Sequence, residues 1–182
     1  MKLGLSKTRK WRIMALAIVT ALLATPGGAT DSETAYATFA AGCFWCIEAD
    51  LEKLEGVLSV TSGYTGGTVA NPNYKQVSAG KTGHTEAVRV VFDPRVISYE
   101  ELLAIFWRNI DPTAADRQFC DVGEQYRAGI FYHDEGQREA AERSRVALEQ
   151  TKPFTDPIVT EITAATAFYP AEAYHQVYSK KN

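Results

Sequence analysis

The chain holds its reactive groups in a few short segments, and the densest is Gly42-Cys43-Phe44-Trp45-Cys46, a C-x-x-C with two aromatics inside it. A strand-like run, Thr34–Ala40, ends just before it, and from Cys43 to Leu54 apolar residues recur at helical spacing until Gly56. Cys43 thus falls in a first helical turn, where free N–H groups and the positive end of the helix dipole favour a nucleophilic thiolate. Cys46, at i+3, shares a helix face with it within disulfide reach, so one thiol can attack and the other resolve. The competing reading is structural: core cysteines, or a closed disulfide.

Glu86 is next. Alternation along Thr85–Phe92 sets it on the face of Val88, Val90 and Phe92, opposite Thr85, Ala87 and Arg89. A carboxyl on an apolar face is desolvated and stays protonated nearer neutral pH, which suits a general acid, although a structurally buried glutamate reads the same way. Tyr64, Tyr74 and Tyr126 stand at loop-to-element junctions, where phenols donate hydrogen bonds without charge. Asp121 lies five residues before Tyr126, in a position that a turn aspartate also fills. The three histidines are far apart, no pair beyond the C-x-x-C has ligand spacing, and phosphate-loop and dinucleotide fingerprints are absent. No metal and no organic cofactor is expected.

These groups need elements to hold them. Val57–Thr61 reads as a short strand leading into the turn-rich loop Ser62-Gly63-Tyr64-Thr65-Gly66-Gly67 and Asn71-Pro72-Asn73-Tyr74. Ser98-Tyr99-Glu100-Glu101 is a capping box for a helix to about Ile110. A polar loop, 111–125, carries Asp116, Cys120 and Asp121; Arg127–His133 is a strand, Asp134–Lys152 a charged helix, Ile158–Thr163 a strand, and a last helix starts at Pro170. Two split βαβ units in this order predict an α/β (α+β) chain with a mixed sheet and helices largely on one face.

The first 29 residues are set apart. Lys2, Lys7, Arg9, Lys10 and Arg12 precede a 12-residue apolar stretch, Ile13–Ala24, and the small residues of Pro26-Gly27-Gly28-Ala29. This pattern predicts a secretory signal peptide, 1–29, cleaved near Ala29, with an uncleaved anchor as the weaker alternative. Cleavage takes five of 19 basic residues and none of 22 acidic ones, leaving a formal charge of −8 and making nucleic acid an unfavourable partner. The remainder, 30–182, is the size of one domain. Three cysteines leave one thiol over, or a pairing that changes during a cycle.

Five of these segments together resemble the A-type peptide methionine sulfoxide reductases: Gly42-Cys43-Phe44-Trp45, Gly63-Tyr64-Thr65-Gly66-Gly67, Asn71-Pro72-Asn73-Tyr74, Gly83-His84-Thr85-Glu86-Ala87-Val88, and Asp121-Val122-Gly123-Glu124-Gln125-Tyr126-Arg127. The likeness runs from about Ala35 to Asn182 and takes in Phe168-Tyr169 and Tyr174-His175-Gln176. It implies a two-layer α/β sandwich around a ferredoxin-like plait. It also implies that Cys43 attacks the sulfur of methionine S-sulfoxide, free or in proteins, while Glu86 protonates the oxygen. Tyr74 and Tyr126 would bind that oxygen, Phe44 and Trp45 would receive the methyl group, Asp121 would orient its neighbours, and Cys43 would be left as a sulfenic acid.

Many members of that family carry recycling cysteines in a glycine-rich tail, whereas Lys180-Lys181-Asn182 contains none, so the resolving thiol is expected to be Cys46, with Cys120 second. The expected substrates are oxidised proteins or free methionine sulfoxide, and the expected partner is a thioredoxin-like reductant. The expected setting is a monomer exported to the periplasm, or secreted, that keeps no membrane anchor after cleavage and repairs exported proteins. A thioredoxin-like disulfide oxidoreductase is the alternative enzyme, but it needs a proline beside the dithiol, and neither Pro72 nor Pro94 is well placed.

Overall fold

The alternating run at Thr85–Phe92 becomes the central strand of a six-stranded sheet in a computed structural model that describes residues 34–181. The chain divides into Met1–Asp31 and Ser32–Asn182. The predicted signal peptide falls in the first unit, outside the described residues.

The second unit is built from strands β1 (Ala35–Ala40), β2 (Val57–Thr65), β3 (Thr85–Phe92), β4 (Arg117–Gln118), β5 (Asp121–Val122), β6 (Gly129–Tyr132), β7 (Glu161–Ala164) and β8 (Tyr169–Pro170). Its helices are α1 (Phe44–Leu51), α2 (Tyr74–Ser78), α3 (Tyr99–Arg108), α4 (Glu135–Thr151) and α5 (Tyr178–Lys181). The main sheet runs β7-β6-β1-β3-β2-β8, antiparallel except for the β6/β7 pair. Its inner four strands, β6-β1-β3-β2, with α1 and α3 as crossovers, form the split βαβ arrangement of a ferredoxin-like plait.

One sheet face carries Ala37 and Phe39 of β1, Val60 and Tyr64 of β2, Val88, Val90 and Phe92 of β3, and Ile130 of β6, all buried against Phe44, Ile47 and Leu51 of α1, Leu102, Leu103 and Phe106 of α3 and Ala140 and Ala141 of α4. The opposite face holds a smaller cluster, Ala40, Ala87 and Phe131, with Phe168 and Ala165 packed on it. The mixed sheet and two-layer sandwich are therefore present as expected.

The caps behave as the sequence predicts. Ser98 and Glu101 form the capping box of α3, and Asp134 accepts the Gln137 N–H at the start of α4. Other boundaries differ. The segment Ser62–Thr65, read as loop, continues β2, because its backbone pairs with Val88–Thr85 of β3 and, at Gly63 and Tyr64, with β8. A side chain at Gly63 would collide with Phe168 and the Tyr169 carbonyl, 2.5 Å from an ideal Cβ. Pro170 does not open a helix: it belongs to β8, and the last helix comes later, at Tyr178. Helix α2 and the β4/β5 hairpin were not expected. The first begins with an Asn73/Gln76 capping box, a signal that the sequence does carry.

Candidate active site

The turn between β1 and α1 fixes Cys43. Gly42 has φ +81, and a Cβ there would lie 2.6 Å from the Gln118 Cβ, so only glycine permits this path. Gln118 is buried and clamped, accepting the Asp111 N–H at 2.7 Å and donating to the Asp111 carbonyl at 2.9 Å. Cys43 is then the N-cap of α1 rather than a residue of its first turn, half-buried, with the Cys46 N–H on its carbonyl at 3.2 Å.

Glu86 is 2 % exposed, and its Oε2 accepts the Phe44 N–H at 3.1 Å, which places the carboxyl at the start of α1 beside Cys43. Burial pushes this carboxyl up to about 7; the Phe44 N–H draws it down, and the nearby Asp121 raises it further. Burial on the apolar face is thus the main cause that raises the carboxyl. Cys43 goes the other way from expectation. Burial pushes its thiol up to about 12, and the Glu86 charge adds to that; the Trp45 and Cys46 backbone N–H groups lower it, but not enough. Desolvation outweighs the helix start, so the resting group is a thiol.

The segment Gly83-His84-Thr85-Glu86 does four jobs in sequence. The Gly83 carbonyl accepts from Arg127 Nη2 at 2.9 Å. His84 Nδ1 accepts the Gly67 N–H at 3.1 Å and its Nε2 lies 2.8 Å from the Val69 carbonyl, clasping the loop that leads to Tyr74. The Thr85 hydroxyl lies 2.9 Å from the Gln125 carbonyl and 3.1 Å from that of Arg127, gripping the chain on both sides of Tyr126. Glu86 enters the site.

Tyr74 opens α2 and Tyr126 ends the 3-10 turn Glu124–Tyr126, and their hydroxyls face each other. Burial raises both phenols, Tyr126 to about 12, and the Glu86 charge raises both as well, so each is a neutral donor. Asp121, on β5, is close enough to act on Glu86 and Tyr126 and lines a cavity of about 190 Å³ with Ala41, Cys43, Cys46, Asn109 and Phe119.

The aromatic wall is larger than the sequence suggests. Phe44 is buried and Trp45 partly so; around them stand Tyr64, 6.0 Å from Phe44, and His175, 5.0 Å from Phe44, 5.4 Å from Trp45 and 4.6 Å from Tyr74. Tyr178 stacks on Trp45 at 3.8 Å. His175 and Tyr178 come from the chain's last turns, at no fixed offset from the C-x-x-C, and their only sequence signal is the Tyr174-His175-Gln176 segment. Tyr64 is buried with its hydroxyl donated to Glu172 at 3.0 Å. All three cysteines are free, Cys46 and Cys120 exposed. Among the described residues no cluster of His, Cys, Asp or Glu could hold a metal.

The structure thus brings Cys43, Cys46, Phe44, Trp45, Tyr74, Glu86, Asp121 and Tyr126 to one end of the plait. It sets Cys120 at the β4/β5 turn, outside the cavity lining. The family model for peptide methionine sulfoxide reductase matches residues 35–182. The peptide methionine sulfoxide reductase MsrA of Ligilactobacillus salivarius is 56 % identical over 146 residues, 80 % of this chain and 85 % of that one. Mxr1 from Saccharomyces cerevisiae in reduced form aligns with a TM-score of 0.78 at 31 % identity, covering 84 % of this chain and 87 % of that one. Methionine sulfoxide reductase A of Corynebacterium diphtheriae aligns with a TM-score of 0.72 at 33 % identity, covering 82 % and 75 %. The chain belongs to the peptide methionine sulfoxide reductase family and is an oxidoreductase that reduces methionine sulfoxide to methionine.

Proposed function

We propose that Cys43 is the nucleophile on the S epimer of methionine sulfoxide, free or in a peptide, and that Glu86 is the general acid. The observation that carries this reading is a carboxyl raised to about 7 at the same helix start as a half-buried thiol. Glu86 gives its proton to the sulfoxide oxygen as the Cys43 sulfur bonds to the sulfoxide sulfur. The S–O bond breaks, methionine leaves with an electron pair, and the oxygen ends on Cys43 as a sulfenic acid. The Cys43 thiol proton restores Glu86. The sulfoxide is reduced by two electrons and the thiol oxidised by two. Tyr74 and Tyr126 donate hydrogen bonds to the oxygen as negative charge gathers on it. Phe44 and Trp45, backed by His175 and Tyr178, receive the methyl group, and Asp121, close to Glu86 and Tyr126, adds to the burial that raises the acid.

Cys46 then attacks the sulfenic sulfur, expelling water and closing a Cys43–Cys46 disulfide. Its place in the Cys43 cavity supports it over Cys120, whose neighbours Phe119 and Asp121 line that cavity while Cys120 does not. The exposure of Cys46 offers the disulfide to a thioredoxin-like reductant; the related Mxr1 has been solved in complex with Trx2. After one turnover without reductant, peptide mapping is expected to find Cys43 joined to Cys46; a Cys43–Cys120 bridge would overturn the assignment of the resolver.

The basic start, apolar stretch and small residues of the first 29 positions support a cleaved signal peptide. In this reading residues 30–182 act as one monomeric, unanchored domain in the periplasm, or secreted, repairing exported proteins. No helix among the described residues is long and apolar enough to cross a membrane.

A further inference from the structure

We propose that Glu172 is a positioning residue that holds the Tyr74 phenol against the sulfoxide oxygen; this rests on the role assigned to Tyr74 above. Tyr74 is the first residue of a five-residue helix in the long connection between β2 and β3. Helix starts leave N–H donors without intrahelical partners. At α2 the Asn73 side chain satisfies only the Gln76 N–H, while the Tyr74 N–H goes 2.9 Å to Glu172 Oε1. The other carboxylate oxygen, Oε2, accepts the Tyr64 hydroxyl at 3.0 Å.

These two bonds connect a loop to a frame. Tyr64 is fully buried in β2, directly across from Glu86 in the β2/β3 register. Glu172 is itself fixed, since the Gln176 side chain accepts the Ser62 N–H at 3.1 Å and donates to the Ser62 carbonyl at 2.9 Å. The Val177 N–H reaches the buried Glu48 Oε1 at 3.2 Å, and Tyr178 lies on Trp45. One carboxylate therefore ties the Tyr74 backbone to the strand opposite the acid. His84 clasps the same connection nearer its start, at Gly67 and Val69. Without Glu172, the Tyr74 N–H loses its acceptor and the phenol its fixed distance from Tyr126 and Glu86. A misplacement of about 1 Å in such a group can cost about 100-fold in rate.

A double-variant cycle on methionine formation, measured by quenched single turnover of the reduced full chain with methionine S-sulfoxide, tests this. Glu172→Ala is expected to slow the saturating rate about 10- to 100-fold, with a smaller change in half-saturating sulfoxide. In a Tyr74→Phe background the same change is expected to cost less than about threefold, because a residue acting through the Tyr74 hydroxyl has nothing left to position. Glu172→Gln keeps an acceptor for the Tyr74 N–H, should lose less than Glu172→Ala, and carries the same cycle if the alanine variant does not fold. Equal losses in both backgrounds overturn the proposal, since a general structural role is additive. If Tyr74→Phe alone turns over at the wild-type rate, the Tyr74 assignment fails first and this one with it.

Discussion

Glu86 and Cys43 show what a single residue's type and position can and cannot tell. Strand alternation placed Glu86 on the apolar face, and burial does raise it to about 7. The same physics reversed the expectation for Cys43. A helix start is worth about 0.3–1 kcal/mol to a negative charge, whereas burial can move a group by several pKa units, and a neighbouring carboxyl adds to it. Neither the half-burial of Cys43 nor its closeness to Glu86 is encoded within the C-x-x-C, because the partner lies 43 residues away. Two consequences follow for Glu86→Gln. The single-turnover rate should fall about 100- to 10,000-fold and lose its decline as pH rises through about 7. Stability should move oppositely. A carboxyl whose folded value lies above its ordinary 4.5 favours the fold at low pH and loses that contribution as pH rises from about 4.5 through about 7. Above pH 7 the variant should therefore unfold at higher urea than wild type, by roughly 1–3 kcal/mol; an unchanged midpoint would argue that Glu86 is ionised at no cost.

Elements were legible where capping and periodicity are local. The capping box at Ser98 and the Asp134 cap start α3 and α4 as read, and Thr85–Phe92 is β3 to the residue. What failed was set by distant partners: Ser62–Thr65 is strand only because β3 and β8 flank it, and Tyr169-Pro170 is strand rather than helix start because it pairs with Gly63 and Tyr64. The β4/β5 hairpin has two-residue strands, too short to alternate visibly. It nonetheless supplies Gln118, against which Gly42 turns. Gly42→Ala would force a side chain into the left-handed region and against the Gln118 Cβ, and is expected to destabilise by about 2–4 kcal/mol while displacing the N-cap that bears Cys43. A denaturant midpoint and a single-turnover rate both check it; loss of neither would mean that the turn is less constrained than its φ indicates.

On the scale of the whole molecule, the plait gathers residues from five stretches of chain at one end of its sheet; the order of elements predicts a mixed sheet with helices largely on one face, and the family resemblance supplies the plait. The aromatic backing from His175 and Tyr178 was not predictable, since it depends on how the last turns fold across α1. Export belongs to this scale too: the intact mass of protein recovered from the periplasm or medium should correspond to a chain starting near Thr30, and a full-length mass there would contradict cleavage. The central claim is that Cys43 reduces the sulfoxide and Cys46 resolves it. Its most direct test counts thiols in the fully reduced protein before and after methionine sulfoxide is added without reductant, against methionine formed. Wild type and Cys120→Ser should each lose two thiols per methionine, and Cys46→Ser should stop at a Cys43 sulfenic acid. Loss of a disulfide's worth of thiols in Cys46→Ser but not in Cys120→Ser would contradict the account.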